Sequence, residues 1–481
     1  MKRRTALRNI GLGLSASLTL PAWLSSCGTE DPGPEIQYDG TIAIIGAGAA
    51  GLYVADILQS KGLKVVIYEA SSRLGGRIRS IRQFEENPLS NSYPIELGAE
   101  RILGEDSLWA KMVKQLERPY VEFPTLTTDG YFIDGAFKTK TEAEADPDFI
   151  AARDFFNNFR TYSGGNVSVD QAVQSAGLSA RVHTILNSMI GNKYGTSNSR
   201  LSASALSEGM SLIARNTSEL RLSTNPMQDV LSSRFSAVVP QIKFDHVVKN
   251  INYSGEKIVI QGENLAESFS SEVDRVIVTV PVSILKDGDI AFTPSLPSAK
   301  STALSHMGMD AAMRIVLEFK VNFWGIDSAF LYGGTQIPEY FNIGAGESSG
   351  QFTKILSMTV MGPKAEEFSP LGLDVIPVIL NELDTYFDGK ASLNIRRQIE
   401  DPHDILSVIH DWTTQPYIRG GVAYIKPGGA NADRTTLGEP VGDKLFFAGE
   451  ATDSNGEFGT INGALLSAER AAQEVIDSII A

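Results

Sequence analysis

Thr41–Ala70 reads TIAIIGAGAAGLYVADILQSKGLKVVIYEA, and the order of residue types along it is strand, glycine turn, helix, strand, acid. Ile42–Ile45 is an apolar run rich in β-branched residues, as a buried parallel strand requires. Gly46, Gly48 and Gly51 follow as G-x-G-x-x-G. Gly46 permits the tight turn, Gly48 lets backbone approach a pyrophosphate, and Gly51 lets the helix pack close to the strand. A helix over Ala49–Lys61 then aims its N-terminal N–H groups and the positive end of its dipole at that phosphate. Gly62 ends the helix and Val65–Tyr68 forms the second strand. Glu69 stands eighteen residues after Gly51, where a carboxylate accepts the hydroxyls of an adenosine ribose. The stretch predicts a dinucleotide site, and by itself allows either NAD or FAD.

Working outward, the N-terminus reads MKRRTALRNIGLGLSASLTLPAWLSSC. Lys2, Arg3, Arg4 and Arg8 make a basic start, and Ile10–Leu20 is an apolar stretch too short to span a membrane. Arg3-Arg4 resembles a twin-arginine export signal, which carries folded, cofactor-loaded proteins. Leu24-Ser-Ser-Cys27 resembles a bacterial lipobox, with cleavage before Cys27 and lipid on its sulfur. Cys27 is the only cysteine in the chain, so no disulfide closes within it. The expectation is a signal peptide over 1–26 and an exported lipoprotein held on a membrane through Cys27. Residues 27–40 form a polar, Pro/Gly-rich tether. Loss of residues 1–26 removes four positive charges and moves the formal charge from −15 to −19. So acidic a chain offers no basic patch for nucleic acid. About 450 remaining residues suffice for two domains with good cores.

Beyond Glu69, the segment Ser72-Arg73-Leu74-Gly75-Gly76-Arg77 places arginines beside the ribose position. Arg77, and secondarily Arg73, can neutralise a pyrophosphate through charge-assisted hydrogen bonds. Far away, Lys444–Glu450 reads KLFFAGE, a strand ending in Ala448-Gly449-Glu450, and a final helix is predicted over Thr460–Ile479. Its first turns carry Asn462, Gly463 and Ala464, small enough for a ring system to approach the backbone. Residues 145–220 have a helical pattern, whereas 311–362 alternate like strands of an antiparallel sheet. His183, His246, His306, His403 and His410 show no metal-ligand spacing, and no metal is expected. Gly346-Glu-Ser-Ser-Gly350 matches G-x-S-x-G in a Gly/Ser loop without the strand-to-helix context of a nucleophile elbow.

Taken together, GAGAAGL, YEASSRLGGRIRS, ELGAERI, VVKNI, VIVTVP, FFAGEAT and TINGALLSAERAA resemble the flavin-containing amine oxidase family, which includes monoamine, polyamine and L-amino acid oxidases and flavin-dependent histone demethylases. The resemblance implies an α/β fold. A Rossmann-like FAD-binding domain (41–105, 225–305 and 400–481) would be interleaved with an α+β substrate domain (106–224 and 306–399) containing a mixed/antiparallel sheet and a helical segment. It implies that Glu69 holds the adenosine ribose and that Arg77 lies at the pyrophosphate with the backbone of Gly46, Gly48 and Ala49. Gly76 would belong to the same phosphate loop. Val248 would meet the adenine, and Gly98 and Ala99 would line the flavin. Gly449 and Glu450 would hold the ribityl or phosphate region, and Thr460 and Ile461 would lie near the flavin's pyrimidine edge. Some members tether FAD through a cysteine in a Gly-Gly-Cys-Tyr segment. Here Gly420-Gly421-Val422-Ala423 has none, so FAD should be noncovalent.

The family's chemistry is oxidation of a C–N bond, with a hydride equivalent passing to flavin N5, hydrolysis of the imine, and reoxidation by oxygen or another acceptor. Many members place a lysine ten residues before the tryptophan of a Phe-Trp pair; before Phe323-Trp324 that residue is Arg314. Arg314 either donates to a water or the flavin, or makes an ordinary salt bridge. Arg101, in Glu96-Leu-Gly-Ala-Glu-Arg101-Ile, matches the arginine with which L-amino acid oxidases clamp the substrate carboxylate; the other reading pairs it with Glu100 or another acid. Trp412 and Tyr424 offer aromatic walls for a substrate pocket that would also include Thr460, or else pack in the core. The leading expectation is oxidative deamination of an L-amino acid. A primary-amine or polyamine oxidase and an exported flavin-binding lipoprotein without this activity are the alternatives.

Overall fold

The computed structural model describes residues 36–81, 94–123, 128–213, 218–265, 267–325, 327–347, 353–398 and 404–480. The signal peptide, Cys27, most of the tether, His403 and part of the Gly346–Gly350 segment lie outside these residues. β1 (Thr41–Ile45), α1 (Ala49–Ser60) and β2 (Lys64–Tyr68) form the expected β-α-β unit. β1 pairs in parallel with β2 on one side and with Arg275–Val278 on the other. Ile242–Lys243 and Leu445–Phe447 complete a five-stranded, all-parallel sheet. Parallel strands need both faces covered. Accordingly Ile42 and Ile44 bury one way with Leu52, Val54 and Leu58 of α1 and Leu465, Ala468 and Ala472 of the C-terminal helix, Ile461–Ile480. Ala43 and Ile45 bury the other way against Val248, Ile251 and Ile260 of a four-stranded sheet.

Gly51 shows why the motif has its spacing. A Cβ there would lie 1.9 Å from the carbonyl oxygen of Gly46, so only glycine lets α1 sit this close to the turn. Gly46 itself has φ +108°, a left-handed conformation that favours glycine.

The second unit is built on a seven-stranded mixed sheet. Its order is Ser407–Asp411, Ala312–Glu318, Ile355–Met361, Glu339–Asn342, Ser328–Tyr332, Thr128–Ile133, Ala136–Thr139. All neighbours are antiparallel except Ser328–Tyr332 with Thr128–Ile133. Alternation sorts the side chains by face. Met313, Ile315, Met358, Val360, Tyr340, Leu331 and Phe132 pack under the helix Val375–Tyr386 through Ile376, Ile379 and Leu383. Arg314, Thr359 and Glu339 turn to the opposite face. The predicted helical segment is present as Pro147–Asn158, Val169–Ser175, His183–Asn192 and Ala203–Leu212.

One boundary is corrected. Ser407–Asp411 was expected with the FAD-binding part (400–481), but it pairs with Ala312–Glu318 as an edge strand of the seven-stranded sheet. Crossing between units depends on pairing partners far apart in sequence, which local pattern does not carry. Among the described residues no helix is long and apolar enough to cross a membrane.

Candidate cofactor and substrate site

The β1–α1 turn opens onto a cavity of about 680 Å³ that runs between the two units. Gly46, Gly48, Ala49, Glu69, Arg73, Gly76, Arg77, Gly98, Ala99, Val248, Gly449, Glu450, Thr460 and Ile461 all line it, as do Arg314 and Trp412. The cavity is fitted to a phosphate at one point in particular. The N-cap of α1 is Gly48, which offers no side-chain cap, so the first N–H groups of the helix lack the usual partner. A Cβ on Gly48 would meet no atom within 4 Å, so the space over the helix end is open. An anion there would complete the helix.

At one end Glu69 is buried just past the tip of β2. Its carboxylate accepts from the amide of Ala47 (2.7 Å) and from the amide and hydroxyl of Ser71 (2.9 and 2.6 Å). These bonds set its orientation toward the cavity. Arg77 ties distant segments of one unit together: its Nη1 donates to Glu450 Oε1 (2.7 Å) and to the carbonyl of Gly421 (2.8 Å). Glu450 also accepts from the amides of Ala423 (3.3 Å) and Gly459 (3.1 Å), so one carboxylate gathers the Gly-Gly loop and the approach to the last helix. Thr460 caps that helix, its Oγ1 accepting from the amide of Gly463 (2.9 Å). Arg73 lines the cavity, but its guanidinium donates to the carbonyls of Gly76 (2.7 Å), Leu74 and Ile78 (both 3.3 Å). It braces the Gly75-Gly76 loop, a correction to its expected place on the pyrophosphate.

At the other end Arg314 is buried and fully engaged. It donates to Glu100 Oε2 (3.0 Å), Ser357 Oγ (3.1 Å) and the carbonyl of Gly98 (3.0 Å). Of the two readings, the salt bridge is the one these bonds show, and through Gly98 the same guanidinium holds the backbone that lines the cavity. Trp412 is anchored by its Nε1–H on the carbonyl of Leu97 (2.7 Å). His410 stands edge-on to it with ring centroids 4.4 Å apart, and pairs across the sheet with Arg314. Burial, together with Arg79 and Arg73, pushes the His410 imidazole down to about 4, so it is neutral at pH 7.

Three expected site residues lie elsewhere. Gly51 faces the turn, as its packing role requires. Tyr424 does not line the cavity; its hydroxyl donates to Asp310 (2.9 Å), which ties the strand Ala423–Ile425 to Thr196 and Arg200. Arg101 does not line it either. Its guanidinium donates to Glu339 (2.8 Å), lies 3.5 Å from Glu219, and covers the ring of Phe330 at 4.3 Å. Burial works against its charge, but the two carboxylates outweigh burial and raise its pKa. The clamp expectation is corrected: Arg101 is already neutralised. Conversely Glu100, considered as a partner for Arg101, belongs to Arg314. Lys193, Glu219 and Glu339 around Arg101 carry no sequence signal, because they come from a helix end and from strands of two different sheets that only the tertiary fold brings together. Among the described residues no group of His, Cys, Asp and Glu is arranged for a metal.

A model of the family described as flavin containing amine oxidoreductase matches residues 49–476. Among curated proteins the chain is similar to lysine-specific histone demethylase 1 homolog 3 of Arabidopsis thaliana, at 26% identity over 92% of this chain and 30% of that protein. It is also similar to lysine-specific histone demethylase 2 of Homo sapiens, at 24% identity over 92% of this chain and 54% of that protein. The chain thus spans about a third to a half of the length of these two relatives. Among solved structures it shares its fold with cyclohexylamine oxidase from Brevibacterium oxydans IH-35A (TM-score 0.73, 18% identity, 92% of this chain and 100% of that one). The same holds for wild-type putrescine oxidase bound to putrescine (TM-score 0.73, 19% identity, 91% and 99%). With the matched family model extending from the helix of the glycine turn to the last helix, this chain belongs to the flavin-containing amine oxidoreductases.

Proposed function

We propose that the protein is a FAD-dependent oxidoreductase that oxidises a C–N bond of an amine, with the cofactor held noncovalently. The observation that carries the substrate choice is the neutralised Arg101. A guanidinium already bonded to Glu339 and near Glu219 does not clamp a substrate carboxylate without breaking a buried ion pair, which costs about 3–5 kcal/mol. This favours an amine over the L-amino acid. The substrates for which the two structural relatives are named, cyclohexylamine and putrescine, support the same class.

The residues present fit a flavin dinucleotide. Glu69 would take the ribose, the α1 N-terminus and Arg77 the pyrophosphate, and Gly98, Ala99 and the capped start of the last helix the ring system. When bound, the flavin supplies the two-electron acceptor for the C–H bond next to nitrogen. The chain's own part is positioning and exclusion of water. Arg314 locks the Gly98 backbone, and Trp412 walls the cavity on the same side. The Gly420-Gly421-Val422-Ala423 segment holds no cysteine, which supports noncovalent binding. The twin arginines and Cys27 support export and lipid anchoring of the loaded protein.

The test is anaerobic mixing of the flavin-loaded protein with primary amines, diamines and L-amino acids while flavin absorbance is followed. Bleaching by amines is expected. Bleaching by L-amino acids alone would reverse the choice, and bleaching by none would leave a flavin-binding protein without this activity.

A further inference from the structure

The seven-stranded sheet supplies one wall of the cavity through Ala312, Met313, Arg314, Thr359 and Met361. Two of these side chains are polar. Arg314 is engaged with Glu100, Ser357 and Gly98. Thr359 is its direct cross-strand partner, so the two share a face with Cβ atoms about 5 Å apart. Met358 and Val360, on either side of Thr359, are buried on the other face with the helix Val375–Tyr386. The Thr359 side chain therefore turns toward the cavity, beside the Gly98 backbone that Arg314 holds. It stays partly exposed, and among the described residues its hydroxyl has no hydrogen-bond partner.

The backbone that carries this hydroxyl is fixed on both edges. On one edge it pairs with the strand of Arg314. On the other, the strand Glu339–Asn342 stops at Glu339, opposite Thr359. The Asn192 carboxamide takes over there. Its Nδ2 donates to the carbonyl of Thr359 (3.1 Å) and its Oδ1 accepts from the amide of Met361 (2.9 Å), as a strand residue opposite Val360 would. Asn192 is buried and closes a π-helix, Asn187–Asn192, a rare form found frequently at functional sites. The turn behind it has no slack: a Cβ on Gly191 would lie 2.4 Å from the amide nitrogen of Asn198. A rigid frame thus presents one unbonded hydroxyl to the cavity.

We infer that Thr359 determines specificity at the reacting nitrogen, its Oγ1 accepting an N–H of the neutral substrate amine. The inference rests on the amine reading and deepens it. A hydroxyl both accepts and donates. When it accepts from a primary or secondary amine, the nitrogen lone pair stays free to form the C=N bond. A neutral tertiary amine has no N–H, so the hydroxyl can only donate to that lone pair and tie it up. The site therefore selects amines that carry an N–H.

The experiment offers weakly basic secondary amines and their N-methylated tertiary counterparts, above their own pKa, to flavin-loaded wild type, Thr359→Val and Thr359→Ser. Valine keeps the size and β-branching and removes the hydroxyl. The secondary-to-tertiary ratio of kcat/KM should fall about tenfold in Thr359→Val and recover in Thr359→Ser. A ratio that stays within about twofold of wild type in Thr359→Val overturns the inference. Flavin affinity should be the same in all three proteins; a loss of flavin affinity with an unchanged ratio would assign the hydroxyl to the cofactor and also overturn it. Calorimetric titration of the same amine pairs separates the inference from the reading beneath it. If no amine bleaches the flavin, the amine reading fails; a binding preference for the secondary amine that Thr359→Val abolishes still supports the role of Thr359, and its absence overturns it.

Discussion

Adding one methyl group at each of two glycines in the opening motif should separate folding from cofactor binding. At Gly51 the new Cβ would lie 1.9 Å from Gly46 O and 3.1 Å from Thr279 Oγ1. An ordinary carbon–oxygen contact needs more than 3 Å, so the turn must open by over an ångström. It is held by the Gly46 amide on Tyr68 O (2.8 Å) and by Thr279 Oγ1 on Ile45 O (2.8 Å). Overpacking of this kind costs about 1–3 kcal/mol, and a lost hydrogen bond adds about 1. Gly51→Ala should therefore destabilise the apoprotein by about 2–4 kcal/mol and weaken flavin binding as well. At Gly48 the backbone is extended (φ −78°, ψ −176°), which alanine adopts freely, and its Cβ meets nothing within 4 Å. Gly48→Ala should leave apoprotein stability within about 0.5 kcal/mol of wild type. Its methyl would fill the space over the open helix end, and a loss of about 2 kcal/mol would raise the flavin Kd about thirtyfold. Urea unfolding of the apoproteins and fluorescence titration with FAD measure both quantities. Wild-type flavin affinity in Gly48→Ala, or equal destabilisation by the two variants, would refute the placement of the pyrophosphate over α1.

His410 makes stability pH-dependent. Its folded pKa lies below the unfolded value, so the unfolded chain takes up the proton first as pH falls from 6.5 to about 4. Stability should drop by about 3 kcal/mol over that window, and urea midpoints of His410→Phe should show a smaller drop. Arg314→Met should lower flavin reduction or reoxidation rates in stopped-flow traces, and leaves the buried Glu100 unpaired; Arg314→Lys keeps a cation there as the folding control. Unchanged rates for both half-reactions would remove Arg314 from the chemistry. Cys27→Ala should move the protein from the membrane fraction to the soluble fraction; retention would dismiss the lipid anchor.

Local sequence was enough wherever one short segment does a whole job. Thr41–Glu69 contains strand, turn, helix and acid in order, and glycine spacing, β-branched runs and helix length are properties of neighbours along the chain. Arg77 was legible from its place after Glu69, and Gly98, Val248, Glu450 and Ile461 from family resemblance; all five line the cavity. What local pattern could not carry was the partner of each charge. Arg101 follows Glu100 directly and Arg314 lies in an apolar strand, yet Glu100 closes on Arg314, and Arg101 goes to Glu339 and Glu219. Those pairings join segments more than a hundred positions apart: Arg314 and Glu339 stand on the seven-stranded sheet, whose register sets the face they take, Glu219 stands on a three-stranded sheet, and Glu100 and Arg101 lie on the chain that enters it at Ile102. A one-residue shift in that register would turn Arg314, Glu339 and Tyr332 to the helix-covered face. The sequence by itself therefore determined the strand, glycine turn and helix on which a dinucleotide is expected. Only the tertiary structure decided which charges pair beside it, because that depends on how distant segments pack together.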